Sequence, residues 1–468
     1  MTMPAHVIHE KRSTTTLWRT AAGFLAALLL AGAATAQVTG LYYQEIRKDG
    51  TIYVFNTYER YTSFQTTGEM GKTAITLPGR GPNGETLIGE NATAIDLFLF
   101  KNNLPGYDRP TPAPKPAAPS ALKGLHVGGT FYLSFQNGTA YAGTPGQTTS
   151  YSKFVLKRGY LDVTDDVTPW FTGRITTDVY QNATGDYQPR IKYLYGSFHW
   201  QGNDIFSQPY VNFGQVVIPW LDWDEAVNRY RMQDEMFMER NGILNSADDG
   251  ILVGSNLGGL MSEEYRKNVD GAYAGRYGSW QLGIYNGNGY HAAEKNQNKA
   301  LEARISLRPL PDAVPGLQFT VFGVSGNGNV ASAPGKSLPD WTVFDGMVSY
   351  ETAHFTGQAE YFSGKGNQGG TALNADGSAR QQKGYSLFAN VRPGEGARWG
   401  VIGRYDHFDP NPDRAASVLD DVTKMSIVGV SYAFSGPNMC LLDYQVKKHT
   451  DPNIPDEKRV QLTLQVKF

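Results

Sequence analysis

From Ala300 to Arg308 the chain reads ALEARISLR, and its character changes at every second residue. Successive side chains of an extended strand point to opposite faces. Leu301, Ala303, Ile305 and Leu307 therefore share one face, and Glu302, Arg304, Ser306 and Arg308 the other. The theme recurs to the end of the sequence. WFTGRITTDVY sets Phe171, Gly173, Ile175, Thr177 and Val179 against Arg174 and Asp178, and HFTGQAEYF sets Phe355, Gly357, Ala359 and Tyr361 against His354, Gln358 and Glu360. ARWGVIGRYDHF opposes Trp399, Val401 and Tyr405 to Arg398, Arg404 and Asp406, and CLLDYQVKK opposes Leu442, Tyr444 and Val446 to Asp443, Gln445 and Lys447. In the final VQLTLQVKF, Val460, Leu462, Leu464, Val466 and Phe468 alternate with Gln461, Thr463, Gln465 and Lys467. Gly, Pro, Asn or Asp punctuates the segments, as turns require.

A soluble sandwich also alternates, but its strands average about 5–6 residues, whereas these run about 9–11, the length that crosses a bilayer at a tilt. The polar faces carry both signs of charge, which suits a water-filled lumen. Tyr180, Trp200, Tyr361 and Phe468 stand at ends of apolar faces, where membrane interfaces hold aromatics. The expected fold is all-β: a transmembrane antiparallel barrel of about 16 strands, a size that leaves an aqueous channel. Such a barrel has no free edge, so VQLTLQVKF is expected to pair with the first barrel strand near Leu125 to Phe135.

The rest of the sequence agrees with export. Lys11, Arg12 and Arg19 precede the apolar run Ala21 to Ala31 and the small-residue end Ala34-Thr35-Ala36, the layout of a cleaved signal peptide over 1–36. Residues 37–108 are a small mixed segment, with strand-like pieces such as TIYVFNTYERY and AIDLFLF, expected to be a periplasmic module or a plug. Residues 109–122 form a proline-rich linker. The barrel then occupies 123–468. Cys440 is the single cysteine, which excludes a disulfide framework and thiolate metal sites. A formal net charge of -2 gives no electrostatic footprint for nucleic acid. No phosphate-loop spacing, hydrolase elbow or zinc motif occurs, so neither an enzyme nor a cofactor is expected.

YVNFGQVVIPW, followed by RMQDEMFMERNGILNSADDGILVGSNLGG, resembles the phosphate-selective porin O/P family. The matching positions are Gly214, Gln215, Pro219, Phe237, Glu239, Arg240, Asp249, Gly250 and Gly254, and FVLKRGYLDV and SWQLGIYNGNGY look similar too. The resemblance covers roughly Gly124 to Phe468. It implies a sixteen-stranded trimeric bacterial porin with a loop folded into its lumen, and Ile218 to Asp249 is the candidate loop. That stretch holds Asp222, Asp224, Glu225, Asp234, Glu235, Glu239, Asp248 and Asp249 against Arg229, Arg231 and Arg240.

On the strands, Arg174, Arg304, Arg308, Arg398, Arg404, Lys447 and Lys467 are candidate lumen residues, but Glu302, Asp178, Glu360, Asp406 and Asp443 face the same way. A phosphate filter needs a dense cationic ladder, so the mixed charges argue for a porin without that selectivity. The functional expectation is passive diffusion of small hydrophilic solutes or ions, anions among them, across a Gram-negative outer membrane. The expected partners are membrane lipid, the outer-membrane assembly machinery that reads Phe468, and two further copies in a homotrimer. The competing expectation is a barrel that sheathes a partner such as a multihaem electron-transfer protein.

Overall fold

A computed structural model describes residues 42–107, 124–182, 184–415 and 421–468, which fall into two units. The expected signal peptide and the proline-rich linker lie outside the described residues. The first unit has strands β1 (Gln44–Lys48) and β2 (Thr51–Phe55), helix α1 (Tyr58–Thr67), strands β3 (Ile75–Leu77) and β4 (Thr86–Gly89), and helix α2 (Ala92–Lys101). Its sheet runs β1-β2-β4-β3. The strand-like AIDLFLF is in fact the body of α2. The Asn91 side chain caps it by accepting from the Ala94 amide at 3.0 Å, and Ala94, Ile95, Phe98 and Leu99 bury one helical face. A capped, one-faced burial at that spacing overrides the strand preference of its Phe and Ile residues.

The second unit is the barrel. Its strands are β5 (Leu125–Tyr141), β6 (Thr148–Thr168), β7 (Phe171–Gln181), β8 (Tyr187–His199), β9 (Phe206–Val217), β10 (Ala247–Leu257), β11 (Gly278–Tyr285), β12 (Ala300–Leu307), β13 (Leu317–Asn327), β14 (Asp340–Glu351), β15 (Phe355–Lys365), β16 (Gln381–Val391), β17 (Trp399–Asp409), β18 (Thr423–Ser435), β19 (Asn438–His449) and β20 (Glu457–Lys467). Each pairs antiparallel with the next, and β20 closes on β5 from Lys458↔Thr139 to Lys467↔Thr130. The closing strand thus pairs where its two-faced pattern requires.

Burial is inverted relative to a soluble protein. On β12, Leu301 and Ile305 are 45% and 44% exposed while Glu302 and Arg304 are 0% and 2% exposed. The same holds on β20, where Gln461 and Thr463 are buried and Leu462 and Leu464 are not. Apolar rows on that scale need an apolar surrounding, and lipid provides one. The ordering Trp170–Phe171–Phe198, Trp399–Tyr432 and Phe131–Phe468 places paired rings at the barrel end where β5 starts and β20 stops. Trp200 belongs to this rim, but two expected interface residues do not. Tyr361 sits within β15 rather than at its end, and Tyr180 lies under the Arg190 guanidinium at 4.5 Å.

Candidate functional site: the lumen and its inward segments

The loop after β9 folds into the barrel, and its sequence explains why it stays there. It runs over 218–246, because Asp248 and Asp249 belong to β10 and pair with Val216 and Gln215. Pro219 starts helix α3 (Pro219–Val227), whose Trp220, Leu221, Trp223 and Val227 are buried. The Trp220 indole donates to Glu360 Oε1 at 2.9 Å, and the Arg304 guanidinium lies 4.8 Å from the Trp223 ring. Next comes the short helix α4 (Phe237–Arg240). A side chain at Gly384 would meet the Phe237 ring at 2.7 Å, so this glycine is the notch that receives it. At its far side the segment is tied to the opposite wall. Lys157 Nζ donates to the Met232 and Gln233 carbonyls at 2.8 and 2.7 Å, and Gln461 Nε2 also donates to Gln233 at 2.7 Å.

A second inward segment has no counterpart in the sequence expectations. Residues 258–277, between β10 and β11, carry helix α5 (Glu263–Asn268) and bury Met261, Tyr265 and Tyr273. Tyr273 packs on Trp223 with ring centroids 5.2 Å apart, its hydroxyl donates to Asp222, and Arg229 donates to the Val269 carbonyl. The two segments therefore brace each other.

The candidate charges separate into three groups. Asp222, Glu225 and Arg231 edge a chamber of about 530 Å³ near the end where the chain enters and leaves the barrel. Arg231 is held by Glu225 and Glu239, both at 3.0 Å, and Arg174 by Asp162 at 2.7 Å. Towards the other end, Asp234, Arg240, Asp406 and Lys447 border a smaller cavity of about 170 Å³. There Asp234 pairs with Arg459 at 2.9 Å, Arg240 with Asp406, and Arg404 with Asp406 at 2.9 Å, while Glu235 pairs with Arg158 at 2.7 Å.

The third group corrects the expectation of open lining. Glu302, Arg304, Arg308 and Glu360 face inward yet are sealed from water, because α3 and the 258–277 segment pack over their wall. Asp224 is sealed with them, bonded to Gln358. Arg398 lies in the exposed turn before β17 and lines nothing. Arg229 reaches Glu351 at 3.4 Å instead of standing free. At the closing strand, Phe468 exchanges two backbone hydrogen bonds of 3.1 Å with Gly129, and its ring stacks on Phe131.

Several lumen residues escaped the sequence reading, among them Lys157, Arg158, Arg190, Lys192, Arg392 and Arg459. Arg158 and Arg190 converge on Asp178 at 3.5 and 2.8 Å. A signal for Lys192 was present in RIKYLYG, where the polar face shifts by one residue. Lys192 and Tyr193 both face inward because Thr176 pairs with Tyr193 and Thr177 with Ile191, which leaves Lys192 as the extra residue of a bulge. The Gly-Gln pair of the loop motif serves this bulge. Gln215 Nε2 donates to the Ile191 and Lys192 carbonyls, each at 2.8 Å, and Gly214 has φ +131°, with Leu194 O only 2.3 Å from where a Cβ would be.

No family model and no curated protein matches the sequence. Solved structures resemble the barrel. OmpF of Salmonella typhi, in complex with daunomycin, is 10% identical, with 74% of this chain and 97% of that one covered and a TM-score of 0.49. The outer membrane channel DcaP of Acinetobacter baumannii is 14% identical, with 74% and 97% covered and a TM-score of 0.49. An anion-selective porin from Comamonas acidovorans is 12% identical, with 73% and 100% covered and a TM-score of 0.47. These neighbours are outer-membrane porins and channels. At such scores nothing about transport passes from them to this chain, and the closed barrel stands on its own strand pairing.

Proposed function

We propose that the protein is an outer-membrane porin through which small hydrophilic solutes or ions diffuse passively. The observation that carries this reading is the combination of an apolar outer face with a charged lumen crossed by a strapped loop. Solutes would pass the edge of Asp222, Glu225 and Arg231 opposite Arg174, where paired charges of both signs create a steep local field. Arg174, Lys192, Arg229, Arg231, Arg392 and Lys467 line the larger chamber against Asp162, Asp222 and Glu225. Once Glu239 and Glu351, the partners of Arg231 and Arg229, are included, the balance is a single positive charge, a mild preference for anions. The mixed charge does not support a phosphate filter, so the finer resemblance to phosphate-selective porins extends to architecture and to the Gly214–Gln215 motif only.

Orientation follows from the connectors. At the end where β5 begins they include the turns 169–170, 352–354 and 436–437, the one long connector there being the inward 258–277, and at the other they include 286–299, 328–339 and 366–380. Short turns face the periplasm in barrels of this kind, so on this reading the start of β5 lies at the periplasmic side. The sheath alternative is disfavoured, because residues 218–246 occupy the space a threaded partner needs. Trimer formation, signal cleavage and assembly through Phe468 belong to the same proposal.

Single-channel recording in planar bilayers tests it. Stepwise conductance with a reversal potential displaced towards the anion supports the porin, and a purified, folded barrel that conducts nothing overturns it.

A further inference from the structure

We infer that the larger chamber holds a binding subsite for organic anions with an apolar body, centred on Lys192; this rests on the porin reading and names its solute class. Lys192 is 4% exposed, and among the described residues no carboxylate lies within ion-pair distance of it. The nearby acids bond elsewhere: Arg231 contacts both Glu225 and Glu239, one cation against two carboxylates, so their remaining negative charge reaches Lys192 only across a gap. The ammonium sits instead between two phenol rings, 4.7 Å from the centroid of Tyr160 and 5.3 Å from that of Tyr193. A buried charge without a counter-ion in contact is costly. Two cation–π contacts offset part of that cost, and an anion completes the set.

The placement is built, not incidental. The bulge at Lys192 turns two consecutive side chains inward, and Gln215 holds the bulge by satisfying the two carbonyls that leave the strand ladder. Arg392 adds a second cation to the same chamber, and among the described residues it bonds only neutral oxygens: Ala353 O, Thr352 O, Thr356 Oγ1 and Asn390 Oδ1.

The walls decide what kind of anion fits. Tyr132, Tyr230, Phe388 and Met439 line the chamber beside the cations. A small inorganic anion gains nothing from such surfaces, whereas an aromatic or aliphatic carboxylate buries its body against them. About 530 Å³ is also in the range of organic-ligand sites rather than of single ions.

Calorimetry on the detergent-solubilised full chain, run beside bilayer recording, tests the inference with benzoate, its uncharged analogue benzamide, and inorganic phosphate. The expected result is that benzoate binds and blocks current, with benzamide and phosphate each weaker by about tenfold or more. Lys192→Met, which keeps the length and loses the charge, is expected to reduce benzoate to the benzamide level, and Lys192→Arg to restore most of the difference. Benzamide or phosphate binding as tightly as benzoate in the unmodified protein overturns the inference without any variant. Benzoate binding by a barrel that conducts nothing supports the subsite and sinks the porin reading. Conductance indifferent to benzoate, with no binding heat, keeps the porin and sinks the subsite.

Discussion

The two walls of the barrel answer the same alternating sequence differently. From β11 to β16, inward and outward positions switch cleanly between buried and exposed, and the inward polar residues are dry beneath α3 and its brace. From β5 to β8, most inward positions are only half buried, and each adjacent strand pair carries a register shift: at Tyr132/Leu133, Asp166/Thr168 and Thr176/Thr177. One wall is a seat for the inward loop, regular because tryptophans pack against it. The other wall faces the larger chamber, and its irregularities turn Lys192 and Tyr193 together inward, where both are buried at the chamber's edge. The lumen is thus asymmetric by construction, with one side seating the loop and the other lining the larger chamber.

The sharpest way to break this asymmetry is to unseat the loop. Truncating Trp220 and Trp223 together to alanine removes two fully buried indoles and leaves Glu360 without its donor. The expected loss is about 3–5 kcal/mol for each, with a larger and noisier single-channel current. Unchanged current would show that the loop does not constrict.

The lipid face should be less forgiving of charge than its exposure suggests. Ile305→Arg on β12 is expected to destabilise the barrel by about 2–4 kcal/mol in bilayer-based denaturant titrations, as for arginine near a membrane midplane. A neutral result would mean that this row meets water.

Gln215→Ala probes the irregular wall by stripping the donor from the Ile191 and Lys192 carbonyls. The expected loss is about 1–3 kcal/mol, accompanied by weaker anion preference in reversal-potential measurements, because Lys192 loses its fixed position. Stability lost with selectivity intact would separate the bulge from the pore. The smallest effect belongs outside both walls. Arg276 pairs with an exposed Asp312 at 2.7 Å, and Arg276→Ala should change stability by less than about 1 kcal/mol and leave current unaltered.

Much of this is legible in the sequence, and the limits of that legibility have physical causes. Period-two alternation directly encodes which side chains meet lipid and which meet the interior, since a strand offers only two faces. Hence Leu462 and Gln461, or Ile305 and Arg304, could be sorted from letters alone, and closure of β20 on β5 followed from the ban on free edges. AIDLFLF reads as a strand but folds as a helix, because a short apolar run has no decisive period and its Asn91 cap acts only once the helix exists. The loop over 218–246 was visible from its motif, but not what it covers. Whether Glu302 touches water depends on α3 crossing from β9 to lie over β12, a contact between residues far apart in sequence. The pairing of Arg231 with Glu225 and Glu239 likewise needs the loop's turn, and Lys192 needs a bulge held by a glutamine from the next strand. The two solvents of the barrel are written in period-two alternation, because that information is local and periodic. Which inward charges line a chamber and which are sealed is set by long-range packing across the lumen.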